Sequence, residues 1–214
     1  MIKPSVGLAL EGVPFICLSI VATLTFAINE WELAALIMLV VTAFSFNFFR
    51  DPERVAPSNE ALAVSPADGK VVKVGRAVDP ITGVERTVIC VFMNVFNVHV
   101  NRLPVASMVR RIEYIPGKFF NASLDKASKD NERCLIHAED ANGGAWTVVQ
   151  IAGLIARRIV CRVEPGDFLS RGQRFGLIKF GSRVDLYMPD DYAPCVAVGD
   201  KVHAGETPVA RKVG

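Results

Sequence analysis

The chain has 214 residues, with 24 Lys and Arg against 22 Asp and Glu, a net charge of +2. That length holds one well-packed domain, or one domain and a membrane-attachment segment, and little more. The near-neutral balance gives no case for nucleic-acid binding; the five scattered cysteines (Cys17, Cys90, Cys134, Cys161, Cys195) include no CxxC pair with metal-ligand spacing, so no metal is expected and free thiols of a reducing compartment are.

The mean hydropathy is above zero, and the excess is local. Residues 13–28 form an uncharged apolar run, Asn29, Glu30, Trp31 and Glu32 interrupt it, and residues 33–49 form a second. This pattern predicts a helical hairpin. At about 1.5 Å per residue each helix reaches roughly 24–26 Å, slightly less than a ~30 Å hydrocarbon core, so the pair either spans with local thinning or dips into one leaflet. Lys3 precedes the first run, Arg50 and Arg54 follow the second, and the turn carries only acidic charge. The positive-inside rule then puts both ends in the cytoplasm. The expected organisation is a membrane-associating hairpin over 1–50 and a domain over 51–214 on the cytoplasmic side of the cell membrane. A cleaved signal peptide competes with this reading, but the second apolar run follows without a small-residue cleavage site. A buried helical pair also competes; Trp31 and Phe48-Phe49-Arg50, placed like interfacial anchors, favour the membrane.

From residue 61 the pattern changes to short runs rich in Val and Ile, punctuated by Gly, Pro and Asp. Strands are expected at 70–74, 87–95, 147–151, 158–163, 175–180 and 184–187. No long amphipathic helical pattern follows Arg50, although 122–131 suits a short helix or lid. The expected fold is mainly β within an α+β chain: the hairpin, then a β-sandwich or barrel-sandwich-like domain of short strands. Gly166-Asp167, four residues and Gly172 recur as Gly199-Asp200, four residues and Gly205, an offset of 33. That is either two similar turns or a duplicated hammerhead-like unit.

The segment FGLIKFGSRVDLYMP (175–189) sets a Gly-Ser pair between two strand-like runs. An isolated Gly-Ser is ordinarily a turn. Self-cleaving serine chemistry, however, needs a hydroxyl aimed at its own preceding carbonyl, a permissive residue before it and a base. Gly181 lacks a Cβ and lets Ser182 Oγ approach the Gly181 carbonyl. An N-to-O acyl shift, β-elimination and hydrolysis would leave a ketone at the new N-terminus and release ammonia. For the base there are three histidines. His99 lies in the β-prone VFMNVFNVHVNRLP (91–104) beside Asn97, Asn101 and Arg102, although a strand histidine is often structural. His137, ahead of Glu139 and Asp140, and His203, in the second Gly-Asp turn, read as surface residues. Asp68 in SPADGK (65–70) offers an orienting carboxylate, although Asp-Gly is also a turn signal. Ser182, His99 and Asp68 thus supply nucleophile, base and orienter.

Five ordered motifs carry a resemblance over nearly the whole chain: FFRDPER (48–54), SPADGKV (65–71), FMNVFNVHVNRLP (92–104), GKFFNASLDKASKDNER (117–133) and FGLIKFGSRVD (175–185). Together they resemble the short prokaryotic form of phosphatidylserine decarboxylase. The resemblance implies a proenzyme cut between Gly181 and Ser182 into a β chain (1–181) and an α chain (182–214), with a covalent pyruvoyl group made from Ser182. It implies that phosphatidylserine loses CO₂ to give phosphatidylethanolamine, through a Schiff base between the substrate amine and the pyruvoyl ketone. The phospholipid and the membrane are then the partners, and a homodimer is left open. The long form of the family has Leu-Gly-Ser-Thr at the cut and two histidines in the strand that here supplies only His99. This chain has Phe-Gly-Ser-Arg, which leaves His99 both for self-cleavage and for returning a proton to Cα. Arg102 and Arg133, with Asn101, are candidates for the anionic headgroup, since a guanidinium matches phosphate or carboxylate with two prongs. Lys118 and the Asn121 region are candidates for a membrane-facing lid.

Other readings are a decarboxylase of a related lipid such as archaetidylserine, a membrane-tethered hammerhead-like carrier module, and a soluble pyruvoyl amino-acid decarboxylase. Lys70, after Asp68-Gly69, is a poor match for a carrier lysine, and the apolar hairpin argues against a water-soluble substrate.

Overall fold

The computed structural model describes residues 7–118, 130–153, 158–179 and 181–213, and divides into two compact units, Met1–Glu53 and Arg54–Gly214. In the first, a 3-10 turn, Leu10–Gly12, runs into α1 (Val13–Ile28), with a proline in the first helical turn where its missing N–H is no loss. Helix α2 covers Glu32–Phe48. Between them Asn29 Nδ2 donates to Thr25 O at 2.8 Å and Glu30 takes a left-handed φ of 59°, so the chain reverses in three residues. Thr23, Thr25, Thr42 and Ser45 return their hydroxyls to carbonyls four residues back, which leaves no hydroxyl dangling in an apolar surface. Thr23 and Thr42 also meet across the pair at 3.3 Å. The outer surface is apolar, with Leu18, Ile28 and Leu33 exposed by 71, 80 and 72%. Leu10–Ile28, 19 residues, is long and apolar enough to cross a membrane, whereas α2 has 17.

The second unit is built from fourteen strands among the described residues. They are β1 (Leu62–Val64), β2 (Gly69–Val78), β3 (Glu85–Met93), β4 (Val100–Arg102), β5 (Ser107–Ile115), β6 (Arg133–Asp140) and β7 (Ala145–Ala152). They continue as β8 (Ile159–Cys161), β9 (Phe168–Leu169), β10 (Arg174–Ile178), β11 (Ser182–Met188), β12 (Tyr192–Pro194), β13 (Lys201–Val202) and β14 (Pro208–Lys212). An eight-stranded sheet runs β13-β2-β3-β11-β7-β6-β5-β9, and two three-stranded sheets run β1-β14-β12 and β4-β10-β8. The fold is therefore mainly β within an α+β chain. In its main core cluster Ile89, Val91, Val148, Val184 and Leu186 of the large sheet meet Phe175, Ile178, Val209 and Ala210 of the small ones, and a second, smaller cluster joins Val88, Cys90, Leu135, Val149 and Ile151. Strand β11 is buried at every residue, because β3 and β7 flank it and both of its faces are covered.

Each of the six expected strands forms, but two long ones were missed. Strand β5, SMVRRIEYI, and strand β6, RCLIHAED, carry charges on a face that reaches solvent, which hides their apolar alternation. The β-prone segment 91–104 is broken, and the strand expected over 87–95 stops two residues early: β3 ends at Met93, and the Asn94 and Asn97 side chains close a turn by accepting from Phe96 N and Asn94 N, each at 2.9 Å. His99 thus stands just ahead of β4 rather than inside a strand. The helix or lid expected at 122–131 lies, except for Asp130 and Asn131, outside the described residues.

The Gly-Asp repeat is structural. Asp167 Oδ2 accepts from Glu164 N at 2.9 Å, and Asp200 Oδ2 from Ala197 N at 2.8 Å. Gly166 N donates to Val109 O and Gly199 N to Val71 O; Gly172 N donates to Leu103 O and Gly205 N to Ser65 O, all at 2.8–2.9 Å. Both copies are therefore the same loop laid on equivalent strands, β5 and β2. Their last glycines touch: a Cβ on Gly172 would lie 3.4 Å from Gly205 O.

Candidate active site

Ser182 opens β11, paired with Met93 of β3 and Ala152 of β7, and is fully buried. The residue before it, Gly181, has φ +69°, and a Cβ there would meet nothing within 4 Å. Glycine is needed here for its backbone conformation, not for space. His99 is 2% exposed; its Nδ1 lies 2.9 Å from Asn97 O and its Nε2 lies 3.3 Å from Gly181 N. A carbonyl only accepts and an amide N–H only donates, so the hydrogen-bond network assigns the proton to Nδ1. The basic Nε2 lone pair then faces the Gly181 N–H, one peptide unit ahead of the bond between Gly181 and Ser182.

Asp68 is buried, and its carboxylate is fully engaged. Oδ1 accepts from Ala204 N at 2.8 Å, Oδ2 accepts from Arg54 Nη2 at 2.9 Å, and His203 Nδ1 stands 3.5 Å from Oδ2. Arg54 also reaches Glu206 at 3.1 Å. Arg102 N donates to Pro66 O at 3.0 Å, which lays the Asp68 turn against the strand that follows His99. His203 is 64% exposed in its side chain, a surface residue that nonetheless caps the Asp68 site. His137, read as a surface residue, is half-buried instead: its Nδ1 is 3.1 Å from Thr147 Oγ1, which donates to the buried Asp79 at 2.8 Å.

Beneath Ser182 lies a buried polar group that the motifs only partly signal. Gln150 Nε2 donates to Asn101 Oδ1 at 2.8 Å; Asn101 Nδ2 lies 3.8 Å from Met93 Sδ, and Ser182 Oγ rests 4.0 Å from the same sulfur. Asn131 Nδ2 donates to Ala152 O at 2.7 Å, bracing the strand end opposite Ser182. Gln150 and Met93 were not anticipated. The available signal was a glutamine inside an otherwise apolar strand, AWTVVQIA.

Comparison with known proteins decides the family. The model of the phosphatidylserine decarboxylase family matches residues 41–210. The chain belongs to the phosphatidylserine decarboxylase family. It is 62% identical over 212 residues to the phosphatidylserine decarboxylase proenzyme of Nitratidesulfovibrio vulgaris, covering 99% of this chain and 98% of that one. It is 61% identical to the proenzyme of Solidesulfovibrio magneticus over 99% of each chain, and 48% identical to that of Cupriavidus metallidurans over 95% of this chain and 94% of that one.

In this phosphatidylserine decarboxylase family member, the remaining candidates separate by environment. Arg102 is buried and donates to Gly172 O at 3.0 Å, with its Cδ 2.7 Å from where a Gly205 Cβ would lie, so it threads between the two repeated turns. Lys118 is exposed, in an isolated bridge with Asn131; Asn121 lies outside the described residues. Arg133 lines a cavity of about 560 Å³ on the outer face of the large sheet, with Lys73, Tyr187 and Arg183. Arg183, not anticipated either, directly follows Ser182 and grips Asp185 with two bonds of 2.7 and 2.9 Å. Burial pushes the Cys90 thiol and the Tyr187 phenol beside that pair upward, keeping both protonated at neutral pH.

Proposed function

We propose that the chain is a self-processing, membrane-bound phosphatidylserine decarboxylase whose peptide bond between Gly181 and Ser182 is cut by Ser182 itself, leaving chains 1–181 and 182–214. The observation that carries this is the unprotonated His99 Nε2 at 3.3 Å from Gly181 N, ahead of a buried serine and beside a left-handed glycine. Ser182 Oγ adds to the Gly181 carbonyl carbon while His99 takes the hydroxyl proton and passes it to the departing Ser182 nitrogen. The resulting ester loses the Gly181 carboxylate by β-elimination, and hydrolysis releases ammonia. Asn97 O, not the expected Asp68, orients the imidazole through Nδ1, and Asp68, held by Arg54 and Ala204 N, fixes the turn that packs against the strand following His99.

The position fits a pyruvoyl group, since residue 182 is fully enclosed and has an imidazole close to its N-terminal side. When present, a pyruvoyl ketone supplies the sink for the electrons released as the substrate carboxylate leaves as CO₂. His99 is then the acid that returns a proton to the substrate Cα. Arg133 is the leading candidate for the headgroup phosphate, with Lys118 and Asn101 as secondary contacts. Arg102, held between the two turns, serves the scaffold. The N-terminal hairpin anchors the protein in the cell membrane, and Lys3, Arg50 and Arg54 at its ends keep the second unit on the cytoplasmic side. There it supplies phosphatidylethanolamine for phospholipid biosynthesis.

Intact mass spectrometry of the purified protein tests the reading. Two chains are expected, the smaller reactive toward a carbonyl reagent, and a single 23.3 kDa species in active protein overturns it. Ser182→Ala should stay whole and inactive. His99→Ala should process roughly 10²–10⁴ times more slowly, the usual worth of a general base.

A further inference from the structure

On the face of β7 that carries Trp146, Val148 and Ala152 into the core, Gln150 is the polar member. A hydrocarbon side chain would suit that slot without stranding a polar atom, yet Gln150 Oε1 is buried with no partner among the described residues. What Gln150 gains is its other end, the 2.8 Å bond from Nε2 to Asn101 Oδ1, made between two fully buried side chains. That bond settles which way the Asn101 carboxamide faces. Its oxygen is tied to Gln150, so its NH₂ points to Met93 Sδ, the atom against which Ser182 Oγ also rests. A thioether is a weak acceptor, so this N–H loses little by moving to a stronger one.

We infer that Gln150 is a positioning residue for self-cleavage, holding Asn101 so that Nδ2 donates to the oxygen that becomes negative when Ser182 attacks. The inference rests on the self-cleavage reading above. In that step the Oγ–C bond forms, the carbonyl π pair moves onto oxygen and the hydroxyl proton passes to His99. As the pair returns, the C–N bond breaks and the nitrogen of residue 182 takes the proton, leaving an ester and a free amine. An amide donor already aimed at the developing charge lowers the barrier; the same amide turned over would present its oxygen and raise it.

The test is Gln150→Glu, made by cell-free translation, diluted into buffers from about pH 5 to about pH 9, and followed by the appearance of the two chains on a gel. A buried carboxyl has a raised pKa, so at the acid end it is neutral and its O–H donates to Asn101 Oδ1 as the native amide does. At the alkaline end it is charged, accepts from Asn101 Nδ2 and turns the amide over. The ratio of variant to wild-type cleavage rate should be near one at low pH and fall roughly tenfold or more at high pH. Taking the ratio removes the pH dependence of His99, which both proteins share. Gln150→Met, of similar volume and without a donor, should cleave roughly tenfold slower at every pH while keeping the wild-type far-UV circular dichroism and protease resistance. A ratio flat with pH, or wild-type cleavage by the methionine variant, overturns the role of Gln150. An uncut wild-type chain overturns the self-cleavage reading itself, so the two failures are told apart.

Discussion

At Gly181 a backbone angle, not a side chain, prepares the chemistry. With φ at +69° and open space around the missing Cβ, Gly181→Ala meets no clash but pays about 1–2 kcal/mol to hold the left-handed region. The backbone should relax toward negative φ and turn the carbonyl away from Ser182, so processing should slow roughly tenfold, by gel time course, with little change in Tm. A second residue-scale contrast lies in the thiols. The Cys134 thiol beside Cys161 draws the Cys161 pKa down to about 7, while Cys134 itself is pushed up by that same bond and by burial. Since the thiolate is the reactive form, alkylation of half-buried Cys161 should rise through about pH 7 and exceed that of Cys134 and Cys90 throughout. Peptide mapping after iodoacetamide labelling at stepped pH checks this.

Among the elements, the paired Gly-Asp loops organise the site more than any single strand. They carry Arg102 between Gly172 and Gly205, and the second loop brings Ala204 and His203 to Asp68. Both glycines are left-handed, at +75° and +77°, so alanine costs each about 1–2 kcal/mol. At Gly205 a Cβ would also lie 2.7 Å from Arg102 Cδ, against an ordinary 3.4 Å contact at Gly172. Gly205→Ala should therefore cost about 1 kcal/mol more than Gly172→Ala, which thermal unfolding should report as a Tm lower by a further ~2–4 °C. The two copies were legible in the sequence because a tight turn demands Gly and Asp at fixed offsets. Strands β5 and β6 were not, because their exposed faces carry Arg110, Arg111, Glu113 and Glu139, and the apolar half of the alternation is seen only once a core is there to receive it. The break after Met93 was hidden for a different reason: it is made by asparagine side chains that replace backbone partners, within a segment of high strand propensity.

Across the whole molecule, the proposed cut falls at the edge of the most enclosed strand. The segment 182–214 contributes β11, β12, β13 and β14, and of these β11 pairs with β3 and β7, β13 with β2, and β14 with β1. Cleavage would remove one covalent bond and none of these ladders. The two chains should co-elute on native size exclusion and separate only in denaturant; a small chain lost from native protein would contradict the sheet order. The sequence by itself determined the apolar hairpin, the β character of the rest, the Gly-Ser pair and the family, because each is written in local composition or in ordered motifs. Only the tertiary structure decided that His99 turns its basic nitrogen to Gly181, that Asp68 is held by Arg54, and that Gln150 sets the Asn101 amide beneath Ser182. Those contacts join residues 14 to 82 positions apart, and a pairing across such distances exists only once the core has closed around it.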